Sequence, residues 1–364
     1  MRWLASLMCL LAMVAAAAGV PAESPRRPAR LHEMVTAWTR PGDAPAQSAV
    51  CFSSRSSHPT NAQDPWDTFQ AAEAFHATDF VWIYSLDAKF VGRLQKHALE
   101  NGGRAVILAV NSMIPDPPDF RRRERGRILD LNGNRITAPW MRSWADPAWG
   151  CANSPEYRAA FVEYAVRALA AGATALQMDD ARMNMAAVAW GGCFCPHCME
   201  KFRRYLRDRT TLQERTACGI ENLDDFDYGR YLRDRGAPAG DAFAKYDGGP
   251  LKNWFRNFQE ESVRDFFRDV RAEIDARAGR HVLFATNNYR GSWDSPYDLF
   301  EMGMAELPLT EARPDHLRGL LACRRPRVDC RKAAFRISGP RRAHSAIARH
   351  TIFPEYERVA YDPQ

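Results

Sequence analysis

Short apolar runs and segments with helical spacing alternate along residues 49–308 of the chain. The runs that predict strands lie at 49–52, 79–84, 104–110, 174–180, 281–288 and 302–307. The segments that predict helices lie at 64–77, 88–99, 155–173, 199–209 and 251–278. Strands of this length that alternate with helices predict a parallel sheet with right-handed crossovers.

Polar residues lie at or just past the ends of these predicted strands. They are Ser53, Ser54, Arg55, Asp87, Asn111, Asp179, Asp180, Asn287, Asn288 and Glu306. Because all parallel strands end at one edge, this repeated placement favours an α/β fold of the (β/α)8 TIM-like barrel type, with its site at the C-terminal face. A doubly wound sheet is the alternative, although no Gly-x-Gly-x-x-Gly turn follows the first strand.

The C-terminal region departs from this pattern. Residues 310–350 show no clean alternation of strand and helix, although an eight-stranded barrel needs about two further strands there. We therefore predict a barrel domain over 49–308 that is incomplete or irregular at its C-terminal end. Residues 309–364 are predicted to form an atypical, basic and disordered tail.

The N-terminus has the pattern of a secretory signal peptide. Residues 1–22 combine a basic start, an apolar middle and small residues, and a Pro/Arg-rich linker follows at 23–48. An uncleaved N-terminal helix is the alternative. A cleaved signal predicts a secreted or periplasmic protein that has no stable membrane anchor and resides in an oxidising compartment.

The formal net charge of +6 is concentrated at one end of the chain. Residues 309–350 carry eleven Arg/Lys and three Asp/Glu, so the rest of the chain is about −2. The body of the protein is therefore near neutral and carries no nucleic-acid-binding motif, and we predict no nucleic-acid partner. The length of the whole chain, 364 residues, suits one α/β barrel.

Four cysteines form a group with metal-ligand spacing. Cys193, Cys195 and Cys198 lie within six residues, and Cys151 lies forty-two residues before the first of them. Four thiolates are the donor set of a closed, tetrahedral structural zinc site. Disulfides within this group are the alternative in an exported protein, and His197 is an alternative ligand.

Two adjacent carboxylates end the fourth predicted strand. The end of a buried strand is an unfavourable place for the charges of Asp179 and Asp180 unless these residues are catalytic or form ion pairs. Alternation places them on opposite faces, so only one points into the barrel mouth; we predict Asp180, with Asp179 next. The alternatives are a cap of the following segment or an ion pair with Arg182.

Glu306, on the sixth predicted strand, is the expected second carboxylate. A carboxylate pair across a barrel mouth serves glycoside hydrolysis, one group as the acid and the other as the nucleophile or base. A salt bridge or a hydrogen bond to a substrate hydroxyl are the alternatives for Glu306.

Aromatic and amide side chains near the strand ends favour a sugar ligand, because aromatic faces beside polar edges suit sugar rings. The aromatic residues are Trp82, Tyr84, Trp140, Trp144, Trp149, Trp190, Tyr289 and Trp293. The residues predicted to bind substrate are Trp82, Tyr84, Asn111, Arg182, Asn287 and Asn288.

Two segments resemble the zinc-bearing region of family 42 glycoside hydrolases, the beta-galactosidases, and of related barrel glycosidases. They are Cys151-Ala-Asn-Ser-Pro-Glu-Tyr-Arg and Cys193-Phe-Cys-Pro-His-Cys-Met-Glu-Lys-Phe-Arg-Arg-Tyr-Leu. The resemblance covers 49–308, is strongest over 151–206, and implies that the four cysteines bind zinc. The family has an Asn-Glu pair at the end of its fourth strand, with Glu as acid/base, where this sequence has Asp179 and Asp180.

The sequence therefore predicts an exported glycoside hydrolase that acts on a glycan or oligosaccharide and carries a structural zinc. A catalytically inactive carbohydrate-binding barrel is the alternative, and turnover of aryl glycosides separates the two. A zinc hydrolase ranks last, because four thiolates leave no open coordination position for water. The sugar, the anomeric outcome and an oligomeric state are left open.

Overall fold

The computed structural model describes residues 51–53, 68–74, 76–111, 126–137, 149–287, 294–305 and 334–336, all within one compact unit, 39–364. The strands are β1 (Cys51–Phe52), β2 (Asp79–Ile83), β3 (Val106–Asn111), β4 (Ala175–Asp179), β5 (Phe284–Asn287), β6 (Met302–Ala305) and β7 (Ala334–Arg336). The α-helices are α1 (Thr68–Ala74), α2 (Ala88–Glu100), α3 (Pro155–Ala171), α4 (Met183–Ala187), α5 (Pro196–Arg209), α6 (Leu212–Ala217), α7 (Tyr228–Asp234) and α8 (Gly249–Ala278). Short 3-10 turns lie at Val188–Trp190, Gly240–Lys245 and Tyr297–Leu299.

The seven strands form one parallel sheet in the order in which they occur along the chain. A doubly wound sheet reverses its strand order at a switch point, so the described strands exclude that alternative. This consecutive order is the winding of a barrel. Among the described residues the sheet is open, since β7 and β1 do not pair.

The tail contributes one strand that the sequence did not predict. β7 pairs with β6 in parallel, with Gly303 opposite Ala334. Its three residues are too few to show the two-residue alternation of a strand, so the sequence of 310–350 gave no strand signal there. The remainder of 309–364, the predicted signal peptide at 1–22 and the predicted linker at 23–48 lie outside the described residues.

The helices begin and end where the sequence supplies caps. Asp87 accepts hydrogen bonds from the backbone N–H groups of Lys89 (2.9 Å) and Phe90 (3.3 Å) at the start of α2. The helix predicted at 155–173 is confirmed as α3: Ser154 caps it, and Gly172 ends it with a left-handed φ of 116°.

Strand alternation separates two faces of β4. Leu176 and Met178 pack into the hydrophobic core between the sheet and its helices. Gln177 and Asp179 occupy the alternate positions and therefore point to the opposite face.

A second hydrophobic cluster lies around the four cysteines and includes α5 and α7. The long helix α8 joins the two cores, because Phe255 and Phe258 lie in the cysteine-side cluster while Val263 and Val270 lie in the sheet core. Within the described segments, no helix combines the length and the apolar composition needed to cross a bilayer.

Candidate functional site

Backbone strain is concentrated near the C-terminal ends of β2 and β4. Trp82, Asp180 and Met183 have left-handed φ values of 57°, 53° and 39°. The β2–β3 register also shifts between Phe80 and Ile83, on either side of Trp82. Strained residues of this kind persist where the surrounding structure requires them, and they cluster at functional sites.

These irregular strand ends meet at the carboxyl group of Asp179, which is buried with 6% of its surface exposed. The indole N–H of Trp82 donates to Asp179 Oδ2 at 3.2 Å. The hydroxyl of Tyr84 donates to the same oxygen, and the backbone N–H of Asp180 donates to Oδ1 at 3.0 Å. The Asn287 side chain also hydrogen-bonds this carboxyl group. Side chains from three strand ends therefore converge on one carboxyl group.

Burial raises the pKa of Asp179, and the hydrogen bonds from Tyr84 and Asn287 oppose that shift only in part. Burial, followed by the neighbouring Asp179 charge, raises the pKa of Tyr84 well above its usual range. Tyr84 therefore stays protonated and remains a donor. The pair can hold a proton in a dry environment, which is the property of a general acid.

The other predicted substrate residues lie around this group. Asn111 is 5% exposed and is the register partner of Asp179 across β3 and β4. Asp180 is half-buried just beyond β4, and the side chain of Arg182 is exposed. Glu306, Asn288, Trp140, Trp144, Tyr289 and Trp293 lie outside the described residues.

Two of the predicted cleft aromatics belong to a core instead. Trp149 is fully buried in the cysteine-side cluster, and its ring lies 5.0 Å from that of Trp190. The sequence could not separate them from Trp82, because a tryptophan in a loop has the same local signature in either role.

Gln177 is an unpaired polar group below Asp179 on the same face of β4. It is fully buried, and neither its Nε2 nor its Oε1 has a hydrogen-bond partner. The neighbours across the sheet are Ala109 and Ala285, which offer no side-chain donor or acceptor. An unpaired buried amide costs stability.

Gln177→Met is therefore expected to raise the free energy of unfolding by about 1–3 kcal/mol, because it keeps the volume and removes the unpaired atoms. Urea unfolding of the variant measures this. Gln95→Met is the matched control, since Gln95 Nε2 donates to the Gly172 carbonyl at 2.6 Å and its loss should destabilise. A Gln177→Met variant less stable than the wild type would mean that this amide is paired in solution.

The four cysteines of the group predicted from the sequence converge on one point. Cys151, Cys193, Cys195 and Cys198 are all buried, with their sulfur atoms within 4.8 Å of one another. Cys151 Sγ lies 3.5 Å from Cys198 Sγ and 3.7 Å from both Cys193 Sγ and Cys195 Sγ. Four sulfurs about 2.3 Å from a tetrahedral zinc lie about 3.8 Å apart, so this donor set fits zinc.

The same distances exceed a disulfide bond of about 2.05 Å, and all four thiols are free. The predicted disulfide alternative is therefore absent from this group. His197 lies at the surface, where its Nε2 is 3.5 Å from Glu156 Oε2. A tetrahedral ion held by four thiolates has no position left for a reacting water, so this centre suits a structural role.

The electrostatics of the cluster favour a cation. Burial raises the pKa of the Cys193 and Cys198 thiols well above the usual range. Burial also acts to raise the pKa of Cys151, but hydrogen bonds from the other three thiols and Asn184 lower it well below its usual range. The surroundings of Cys151 thus favour its thiolate form, and a divalent cation would favour the thiolate forms of Cys193 and Cys198.

Sequence reasoning missed two residues of this centre, Asn184 and Gln259. Both are fully buried, and Asn184 Nδ2 donates to Gln259 Oε1 at 2.8 Å. A signal exists for Gln259, which is a polar residue in the apolar stripe of α8 between Phe258 and Val263. Asn184 has no comparable signal, because its neighbours in α4 form less than two helical turns.

No family model matches the chain. The chain is 32% identical over 115 residues to the alpha-agarase of Thalassotalea agarivorans and 30% identical over 113 residues to the alpha-agarase of Alteromonas agarilytica. Each match takes in 28% of this chain and 8% of the relative. The chain therefore spans under a tenth of the length of these curated relatives.

Two solved structures overlap more of the chain at lower similarity. The PgaB (BpsB) glycoside hydrolase domain from Bordetella bronchiseptica gives a TM-score of 0.44 at 12% identity, covering 75% of this chain and 79% of that chain. The glycoside hydrolase domain of PelA from Pseudomonas aeruginosa gives 0.36 at 11% identity, covering 77% and 79%. These TM-scores are too low to carry a conclusion about fold or activity.

Proposed function

We propose that the chain is an exported glycan hydrolase whose acid is the carboxyl group of Asp179. The observation that carries the proposal is the burial of this carboxyl group among Trp82, Tyr84 and Asn287 at the C-terminal edge of a parallel sheet. Active sites of barrel enzymes lie at this edge. The first catalytic assignment goes to Asp179 rather than Asp180, because the described contacts centre on Asp179.

In this proposal Asp179 donates its proton to the glycosidic oxygen as the bond to the anomeric carbon breaks. Its raised pKa keeps the proton available, as a glycosidase acid requires. Water then supplies the hydroxyl group at the anomeric carbon, and its proton returns to the carboxylates. The aromatic and amide groups around Asp179 suit a sugar ring and its hydroxyls.

Glu306 is the proposed second carboxylate, because it directly follows β6. Strands β4 and β6 lie on either side of β5, so their backbones are about 10 Å apart. Carboxyl groups that begin at this spacing fall within the roughly 5–10 Å range of retaining and inverting glycosidases. Asp180 is the next carboxylate to test.

The two alpha-agarases suggest which substrates to test first, although the match covers little of either enzyme. The purified chain should be incubated with agarose, agaro-oligosaccharides and other galactans, and new reducing ends measured. We expect hydrolysis of at least one of these glycans. The four-cysteine centre is expected to hold a structural zinc that takes no part in this reaction.

The second candidate is a glycan-binding protein without turnover, which the sequence also allowed. The unpaired Gln177 and the open described sheet are compatible with an incomplete site. Calorimetry with the same glycans separates the candidates. Saturable binding without new reducing ends would favour the binding protein, and absence of both would count against any role on galactans.

A further inference from the structure

Asn184 connects the four-cysteine centre to the strand that carries Asp179. Its Nδ2 lies 3.4 Å from Cys151 Sγ and 3.6 Å from Cys198 Sγ. The same nitrogen donates to Gln259 Oε1 at 2.8 Å, and Asn184 Oδ1 accepts from the backbone N–H of Ala152 at 2.9 Å. One amide hydrogen is therefore used by Gln259, and the other faces the two sulfurs.

A metal held by four buried thiolates needs such donors. Four thiolates around a divalent cation leave a net charge of −2, and burial of that charge is unfavourable without hydrogen bonds. The second side-chain donor is Asn153, whose Nδ2 lies 3.3 Å from Cys198 Sγ. Cys195 also occupies the N-cap position of the 14-residue helix α5, although its side chain makes no capping hydrogen bond, and the helix dipole favours negative charge there.

The position of Asn184 in the chain gives it a second role. It lies in α4, five residues after Asp179, and the segment between them makes a tight turn. Met183 N–H donates to the Asp180 carbonyl at 3.2 Å, and both residues have left-handed φ values. Met183 is fully buried in the sheet core. The segment between Asp179 and Asn184 is therefore short and tightly held, so a shift of the Asn184 amide would be transmitted to the end of β4.

We propose that Asn184 is a positioning residue through which the metal-loaded cysteine centre fixes the turn that follows β4. Gln259 holds the Asn184 amide in the orientation that aims its free N–H at the sulfurs. Loss of the metal would weaken that attachment and loosen residues 180–184 at the edge of the sheet. The coupling rests on the proposed structural zinc and not on glycan hydrolysis, so loss of hydrolytic activity would leave it unaffected.

Two variants of the full chain test it. Asn184→Asp keeps the acceptor for Ala152 N–H but replaces the donor with a negative oxygen beside the sulfurs. We expect its zinc affinity, measured by competition with a chromophoric chelator, to fall about 10–100-fold. In the cobalt-loaded protein, Asn184→Leu should move the sulfur-to-cobalt charge-transfer bands to lower energy, because the sulfur lone pairs lose a hydrogen bond.

Asn153→Ala is the matched control, since Asn153 also donates to Cys198 but lies in the loop before α3. Hydrogen exchange of residues 179–187 is the deciding readout. We expect chelation of the metal to speed exchange there in the wild type, and Asn184→Leu to speed it with the metal bound. Asn153→Ala with metal bound should exchange like the wild type in this segment.

The wild-type arm requires no variant. Because chelation also lowers the overall stability, the increase in exchange of residues 179–187 is compared with that of strands β2 and β3, and only an excess in 179–187 supports the coupling. Unchanged exchange of residues 179–187 after metal removal would overturn the coupling. An Asn184→Asp zinc affinity within twofold of the wild type would overturn the role of the donor.

Discussion

Asp179→Asn is expected to reduce glycan hydrolysis about 10²–10⁴-fold, the range that general acid catalysis supplies. The amide keeps the shape of the carboxyl group and can still accept from Tyr84 or Trp82, but it has no acidic proton to give. Folding and glycan binding should therefore persist. Initial rates of reducing-end release, with binding measured by calorimetry on the same preparation, separate the two effects.

Asp180→Asn is the matched control, because it makes the same carboxylate-to-amide replacement at the adjacent residue. Its loss of rate should be smaller than that of Asp179→Asn if the buried carboxyl group is the acid. The reverse order of the two variants would return the assignment to Asp180, as the sequence alone predicted.

Cys195→Ser is expected to abolish tight metal binding and most of the stability of the cysteine-side cluster. Structural zinc sites supply on the order of 10 kcal/mol of folding free energy, which is comparable to the whole stability of a typical domain. Thermal unfolding and zinc content of the variant measure both losses, and chelation of the wild type should give a similar destabilisation.

Cys218→Ser is the control for the loss of a thiol outside the centre, because Cys218 is free and half-buried. It should retain one zinc per chain and unfold near the wild-type temperature. A Cys195→Ser variant that unfolds like Cys218→Ser, or a wild type without zinc, would contradict a structural metal.

The features that the sequence predicted well are local ones. The helix at Pro155–Ala171 follows from a serine cap, a proline in the first turn and a glycine at the end. The cysteine group follows from spacing, because three thiols within six residues have few other uses. The parallel α/β sheet, as distinct from a closed barrel, follows from the alternation of short apolar runs with helical segments.

The proposed preference for Asp179 over Asp180 rests on tertiary structure. The strand ends at Asp179, and the left-handed backbone at Asp180 ends the regular alternation from which the prediction was made. The position of Trp82 likewise depends on a register shift in β2 that no local pattern shows. Asn184 acquires its role only because Gln259, seventy-five residues away, lies beside it.

The measurement that tests the central claim most directly is the unfolding free energy of the wild type and of Asp179→Asn as a function of pH. The claim is that Asp179 is a buried carboxyl group whose pKa is raised by loss of solvent. Above the ordinary aspartate value of about 3.9, the unfolded chain has released this proton while the folded protein still holds it. Wild-type stability from this group is therefore lost as pH rises through the raised pKa, whereas the side-chain amide of the Asp179→Asn variant does not titrate.

We predict that the stability of Asp179→Asn relative to the wild type increases as pH rises above about 3.9 and levels off above the raised pKa. Asp180→Asn, measured in parallel, accounts for titration of the neighbouring carboxylate. A difference that stays constant with pH, or that moves in favour of the wild type, would contradict a buried, proton-holding Asp179.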